Sequence, residues 1–216
     1  MDKGSKKVYR HDVNMLQTNI SHREDKKVEN YKITVCGVER TLPIIPIDDK
    51  MAFASFVVLG DTELISVCAP ELAKKIGEVD VVLTAEAKGI ALSYEISRQL
   101  GLKEFIVVRK SVKSYMKDTV SVPVHSITTE GEQHLYLDGI DAAKIKGKRV
   151  CIVDDVISTG HSLAALEELA HAAGANVVAK AALLAEGDAA ERKDIIVLGK
   201  LPLLEKNAEG EYVVKE

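Results

Sequence analysis

The chain has 216 residues, a formal net charge of −4 and a pI of about 5.9. This length predicts one domain with a sizeable core, and the acidic balance argues against nucleic acid as a partner. Three scattered cysteines are too few for a disulfide framework, and no apolar run approaches the roughly 18 residues of a membrane helix. We therefore expect a cytoplasmic protein with no membrane partner.

The N-terminal part of the chain changes character near residue 31. Residues 1–30 mix charges of both signs without a clear period, and we expect an arm or a short helix there. Residues 31–48 alternate well enough to predict one or two strands that turn at Gly37. Pro43 and Pro46 cannot donate to a strand ladder and therefore predict an edge position. This segment should form a small sheet attached to the main domain.

A helix is expected after this small sheet. Asp61 or Thr62 can cap its N-terminus, and Gly77 supplies the residue at which it ends. Pro70 falls inside the same pattern, and because proline removes a helical hydrogen bond we expect it to kink or divide the helix.

The middle of the chain alternates buried strands with helices. The strands are short runs of Val, Ile, Leu and Ala, and each helix ends at a glycine. The predicted strands are 79–87, 104–110, 149–155 and 176–186, and the predicted helices are 88–101 and 160–173. Because strand, helix and strand at this spacing form parallel crossovers, the predicted class is α/β, with a central, mainly parallel sheet flanked by helices.

Two further segments complete the pattern. Residues 111–147 are polar, with strand-like alternation and turns expected at Gly131 and Gly139, as in a functional loop or hairpin between core strands. The last residues predict one more strand and then a hairpin that turns within residues 207–210.

The run "VDDVISTGHS" carries the clearest chemistry. Asp154 and Asp155 end a buried strand, and Ser158, Thr159 and Gly160 lead into a helix. Backbone N–H groups at a helix N-terminus bind phosphate, whereas two adjacent carboxylates can hold the hydroxyls of a ribose, directly or through Mg²⁺. The pattern predicts a ligand with a phosphate beside a ribose diol. Since the strand end is taken to face solvent, Asp154→Asn is expected to leave the thermal midpoint almost unchanged.

The longer run "VCIVDDVISTGHSL" resembles the phosphoribosyl-pyrophosphate signature of type I phosphoribosyltransferases. Three other segments, "TAEAKGI", "VVRK" and "LYLDGI", are similar to the purine branch, in its adenine type and archaeal hypoxanthine type. The resemblance implies a core with a small hood formed by N-terminal and C-terminal segments. It divides the chain into a hood segment at 1–60, a core at 61–200 and a C-terminal hairpin at 201–216.

The resemblance also assigns roles to individual residues. It implies that Asp154 and Asp155 hold ribose hydroxyls and Mg²⁺, that Arg109 acts on the leaving pyrophosphate, and that Glu130 moves a proton on the purine. Lys88 stands where many relatives have arginine. The remaining residues are implied to bind substrate, and they are Ala87, Lys88, Gly89, Lys110, Lys113, Ile157, Ser158, Thr159, Gly160, His161 and Ser162.

The activity implied is Mg²⁺-dependent transfer of 5-phosphoribosyl from phosphoribosyl pyrophosphate to a purine base, with a homodimer expected. The base itself, adenine or a 6-oxopurine, stays open. Two alternatives also stay open. One is a non-catalytic regulator that senses the donor, and the other is an enzyme of the orotate or uracil type.

Overall fold

The computed structural model describes residues 30–124 and 133–215. Its elements in chain order are β1 (Asn30–Val35), β2 (Val38–Pro46), β3 (Met51–Ala54), α1 (Thr62–Ile76), β4 (Val81–Ala85), α2 (Ile90–Gln99), β5 (Ile106–Val108), β6 (Val120–Val124), β7 (Gln133–Leu137), α3 (Gly139–Ile145), β8 (Arg149–Ile157), α4 (His161–Ala172), β9 (Asn176–Glu186), a 3₁₀ turn (Gly187–Glu191), β10 (Ile196–Leu201), β11 (Leu203–Lys206) and β12 (Tyr212–Val214).

A five-stranded sheet in the order β10-β9-β8-β4-β5 forms the centre of the protein. Every neighbouring pair in it is parallel. Successive side chains of a strand face opposite sides, so Val82 packs with α1 and α2 on one face while Leu83 packs with α4 on the other. The α/β prediction is confirmed. Among the described residues, no helix is long and apolar enough to cross a membrane.

The hood is a second five-stranded sheet in the order β1-β2-β3-β11-β12. It joins the N-terminal strands to the C-terminal hairpin, as the resemblance implies, and the hairpin turns at residues 207–210 as expected. The predicted edge position of β2 is wrong, because β1 pairs with its first half and β3 with its second half. The sheet tolerates Pro43 and Pro46 because each is paired with only one neighbouring strand, Pro43 with β1 and Pro46 with β3. The boundaries at residues 60 and 200 stay a prediction.

An ion pair ties the hood to the core. Arg40 of β2 donates to both carboxylate oxygens of Asp61, at 2.7 and 2.9 Å, and to Glu63 at 2.7 Å. Asp61 is also the N-cap of α1, where its side chain accepts from the Leu64 amide at 3.1 Å. One carboxylate therefore starts the helix and anchors the hood.

The two roles of Asp61 predict different effects for two substitutions. Asp61→Ala should lower the free energy of unfolding by about 1–2 kcal/mol through the lost cap, whereas Asp61→Asn should lose only the ion pair, because Asn still caps. The Arg40 hydrogen bond lowers the pKa of Asp61, so the ionic part is present above the ordinary carboxyl pKa and is lost as the pH falls through the lowered value. Urea unfolding at pH 7 and pH 3 measures both. Equal losses in the two variants would rule out the capping role.

Helix α1 is not divided at Pro70, which was one of the two expected effects of this proline. It runs unbroken through Pro70 and ends at Gly77, which has a φ of 75°. Proline removes one backbone hydrogen bond, but Leu64, Cys68 and Leu72 are fully or almost fully buried on both sides of it. Packing of this face holds the helix together where propensity alone would end it.

The polar excursion forms a hairpin beside the central sheet. Strands β6 and β7 are antiparallel, and the predicted turn at Gly131 lies outside the described residues. The predicted turn at Gly139 is wrong, because Gly139 begins α3. A Cβ there would lie 2.8 Å from the carbonyl oxygens of Lys117 and Asp118. The glycine is therefore required by a close approach of two backbones and not by a turn.

Candidate functional site

The two adjacent carboxylates lie near the carboxyl end of β8, which continues to Ile157, two residues beyond its predicted end. Asp155 is buried, with 1% of its surface exposed, and its backbone amide donates to Oδ1 of Asp154 at 2.8 Å. Burial, followed by the charge of Asp155, raises the pKa of Asp154 to about 7. The expectation of a solvent-facing strand end is therefore wrong.

Lys88 supplies the cation that faces this pair. Its Nζ lies 3.1 Å from Oδ2 of Asp155, although this oxygen accepts no hydrogen bond in good geometry from the described residues. Glu186, the last residue of β9, also interacts electrostatically with Lys88. Burial raises the pKa of Glu186 and the ammonium partly opposes the rise. Lys88 therefore offsets negative charge contributed by two neighbouring strand ends.

The anion loop is residues 158–162, between β8 and α4. Gly160 is the N-cap of α4 with a φ of 82°, in the left-handed region that favours glycine. The Ala164 amide donates to the Gly160 carbonyl at 2.8 Å, so the amides of the first turn precede the helical bonding pattern and can bind an anion. Thr159 Oγ1 lies 3.4 Å from Nδ1 of His161.

Arg192 lies against this loop. Its Nη1 is 2.8 Å from the position that a Cβ on Gly160 would occupy. Asp194 fixes the guanidinium through two hydrogen bonds, at 2.9 Å to Nε and 2.7 Å to Nη2. Nothing in the sequence pattern signals this arrangement, because Arg192 follows the 3₁₀ turn in a charged segment far along the chain.

The loop after β4 approaches β8 closely. A Cβ on Gly89 would collide with Oγ1 of the buried Thr84, and it would lie 3.3 Å from the carbonyl oxygen of Val153 and 3.4 Å from Cα of Asp154. The absence of a side chain at Gly89 therefore lets Lys88 reach the carboxylates of β8.

A basic segment, residues 109–113, follows β5 on the other side of β4 from β8. Arg109 Nε lies 3.0 Å and Lys113 Nζ 4.0 Å from the carboxylate of Glu86, and the Lys110 amide donates to the same group at 2.6 Å. Glu86 was not predicted as a site residue, although it stands in the "TAEAKGI" segment that signals the loop.

The carboxylates of β8, the anion loop, Lys88 and Lys110 border one cavity of about 490 Å³. It is lined by the following predicted site residues: Ala87, Lys88, Lys110, Asp154, Asp155, Ile157, Ser158, Thr159, Gly160 and Ser162. Gly89, Arg109, Lys113 and His161 adjoin these residues without lining it. Glu130 lies outside the described residues. The hairpin of β6 and β7 adds His134 and Tyr136 to the wall of the cavity, and the sequence analysis predicts neither residue.

A Mg²⁺ ion suits this cavity on the chemistry of its donors. The described residues contain no cluster of three or more metal-binding side chains, so the protein alone offers no complete cage. Asp154 and Asp155 offer two carboxylates, one with an oxygen that lacks a hydrogen bond. Mg²⁺ is commonly held by one or two carboxylates together with water and substrate phosphates, which this donor set matches.

Comparison with known protein families identifies the family of the chain. Residues 64–209 match the model of the phosphoribosyl transferase domain. The chain is 38% identical over 110 residues to a hypoxanthine/guanine phosphoribosyltransferase of Methanococcus voltae, a match that spans 51% of this chain and only 54% of the relative. A relative of the same name from Methanothermococcus okinawensis is 32% identical over 149 residues, which cover 65% of this chain and 76% of that protein.

Solved structures give the same fold. The adenine phosphoribosyltransferase of Thermoanaerobacter pseudethanolicus superposes with a TM-score of 0.61 at 26% identity, over 74% of this chain and 95% of that one. The relatives therefore carry names from both arms of the purine branch.

Proposed function

Because the chain belongs to the phosphoribosyltransferase family, we propose that it transfers 5-phosphoribosyl from phosphoribosyl pyrophosphate to a purine base, with Mg²⁺ as cofactor. One observation carries the proposal. The anion loop at residues 158–162 and the carboxylates of Asp154 and Asp155 border the same cavity as Lys88. A phosphate site, a diol site and a cation thus face one ligand.

The residues would act by position and charge. Amides and hydroxyls of the anion loop bind the 5-phosphate, and Asp154 and Asp155 accept hydrogen bonds from the ribose hydroxyls. A purine nitrogen bonds to C1 of the ribose while the bond from C1 to the pyrophosphate oxygen breaks, and the electron pair leaves with pyrophosphate. The proton of the purine N–H passes to a base, the role that the family resemblance implies for Glu130. Lys88 and Arg109 stabilise the negative charge that grows on this leaving group.

The metal would complete the charge balance. Asp154 and Asp155 would hold Mg²⁺, directly or through ribose hydroxyls and water. When bound, the ion supplies neutralisation of the diphosphate oxygens. The high pKa of Asp154 fits this role, since a cation or a protonated group lowers the cost of placing two carboxylates side by side at this strand end.

A panel of bases tests the proposal. The purified protein is incubated with phosphoribosyl pyrophosphate and Mg²⁺ and with adenine, hypoxanthine, guanine, xanthine, orotate or uracil in turn. We expect a nucleotide and pyrophosphate from at least one purine and none from orotate or uracil. Asp155→Asn, prepared in parallel, controls for contaminating host enzyme.

Two outcomes would contradict the proposal. Nucleotide formed from orotate or uracil alone would place the protein in a different branch. No nucleotide from any base, together with calorimetric binding of the donor, would identify a sensor of the donor and not an enzyme.

A further inference from the structure

Glu86 presents a physical problem. It is a carboxylate at the edge of a cavity whose proposed ligand is a polyanion, and it lines that cavity with 19% of its side chain exposed. A like charge here repels the diphosphate, and no step of the proposed reaction uses it. A neutral residue would bind the donor more tightly, so the charge must serve another purpose.

The contacts of Glu86 indicate that purpose. Its backbone amide donates to the carbonyl of Val108 at 2.9 Å, which extends the pairing of β4 with β5. Its side chain turns toward the chain that leaves β5, where Oε1 accepts a hydrogen bond from the Lys110 amide at 2.6 Å. Its Oε2 lies 3.0 Å from Arg109 Nε, an ion pair that lacks hydrogen-bond geometry. Lys113 approaches the same carboxylate at 4.0 Å. One acid therefore contacts three residues of the basic segment, Arg109, Lys110 and Lys113.

The arrangement extends to the hairpin. Arg109 exchanges both backbone hydrogen bonds with Tyr136 of β7, at 2.9 and 2.8 Å. Tyr136 and its neighbour His134 line the cavity. The side chain of Glu86 thus joins the loop after β4 to the basic segment, and the backbone of Arg109 joins that segment to the hairpin.

We propose that Glu86 is a positioning residue, whose carboxylate holds Arg109 and the backbone at Lys110 in the orientation that stabilises the departing pyrophosphate. This proposal rests on the proposed function. Arginine and lysine side chains carry large rotamer entropy, and a fixed counter-ion reduces the motion that they must lose during reaction. The same negative charge weakens binding of the pyrophosphate product and so favours its release.

The proposal predicts two opposite changes in Glu86→Gln. The amide keeps the size of the side chain and can still accept from the Lys110 amide, but it loses the charge. Affinity for pyrophosphate should rise about five- to tenfold, because one repulsive charge near the anion is gone. The value of kcat should fall about 10- to 100-fold, because Arg109 is no longer fixed. A purely structural residue would lower both affinity and rate.

Glu86→Asp separates charge from reach. It keeps the charge but withdraws the carboxylate by one methylene, so affinity for pyrophosphate should stay within about twofold of the wild type while kcat falls. Glu95→Gln is the matched control. Its side chain is 15% exposed and pairs with Arg98 on the surface of α2, so neither quantity should change.

Calorimetric titration with pyrophosphate and Mg²⁺, and steady-state kinetics with the best base, measure these effects. Tighter binding with slower turnover in Glu86→Gln supports the proposal, and unchanged or weaker binding, or unchanged kcat, overturns it. If the wild type turns over no base, the proposed function fails and the titration alone decides the charge effect of Glu86. If Glu86→Gln does not fold, an unchanged kcat in Glu86→Asp overturns the proposal and a fall at constant affinity supports it.

Discussion

Asp154→Asn should make the protein more stable at pH 8 and at the same time weaken donor binding strongly. In the folded chain, burial and the charge of Asp155 raise the pKa of Asp154 to about 7, above the ordinary value near 4. The ionised side chain is therefore costly in the native state. Asparagine removes this cost. Its side-chain oxygen can still accept the hydrogen bond that the Asp155 amide donates to Asp154 in the wild type, at 2.8 Å.

The sign and the pH window follow from linkage. A raised folded pKa means that the native state binds the proton more tightly than the unfolded state does. The contribution of this group to the free energy of unfolding is therefore fully present below about pH 4 and is lost as the pH rises to 7. At pH 8 the loss is at most about 4 kcal/mol, since each pKa unit corresponds to about 1.4 kcal/mol. The advantage of Asn should be small at pH 4, should grow between pH 4 and 7, and should then stay constant.

Differential scanning fluorimetry at pH 4, 6 and 8 measures the stability, and calorimetry with phosphoribosyl pyrophosphate and Mg²⁺ measures the binding. We expect a midpoint several degrees above that of the wild type at pH 8, and an affinity lower by about 100-fold or more, since the proposed charge-assisted contact to the diol would be lost. Asp49→Asn, on the exposed turn of the hood, controls for the change in net charge. A midpoint that falls at pH 8 would show that the carboxylate stabilises the fold.

Such a result would explain why two acids occupy a buried strand end. Residues that burial and neighbouring charge push away from their ordinary pKa cluster at functional sites. Function, and not stability, then accounts for Asp154 and Asp155, and Lys88 offsets part of the cost without removing it. The same reasoning applies to Glu86, whose charge opposes the binding of the anion that the cavity is proposed to hold.

The local parts of this site are visible in the sequence. The anion loop and the two acids lie within nine consecutive residues, and the strand before them and the helix after them follow directly from hydrophobic period and a glycine stop. Strand β9 was predicted with its observed bounds. For these elements, local pattern and tertiary environment favour the same structure.

The remaining parts depend on contacts between distant segments. The Glu86 carboxylate meets a backbone amide 24 residues away, and Arg192 reaches Gly160 from beyond β9. Neither contact produces a periodic pattern in the sequence near the residues that make it. The burial of Asp155 is of the same kind, because an acid that follows an apolar run is ordinarily expected to face solvent. Strand β3 and helix α3 were missed because they are only four and seven residues long, too short to establish a period.

Gly89→Ala should separate Lys88 from the carboxylates of β8. The backbone at Gly89 is in the ordinary right-handed helical region, with a φ of −76°, so alanine meets no backbone strain and the effect must come from space. The new methyl group would collide with Oγ1 of Thr84, which is fully buried, and would press on the backbone of Val153 and Asp154. Overpacking of this kind costs about 1–3 kcal/mol, and displacement of the loop by about 1 Å should lower kcat/KM for the donor about 100-fold.

A second substitution tests the cause. Thr84→Ala removes the hydroxyl that the methyl group would strike, so the double variant with Gly89→Ala should recover about 1–2 kcal/mol relative to the sum of the single effects, and with it part of the lost activity. Thr84→Val is the matched control, because it keeps a branched side chain of the same shape and should recover nothing. Urea unfolding of the five variant proteins and the wild type gives the coupling energies. No recovery with either Thr84→Ala or Thr84→Val would show that the loss in Gly89→Ala arises from the backbone of Val153 and Asp154 and not from the hydroxyl of Thr84.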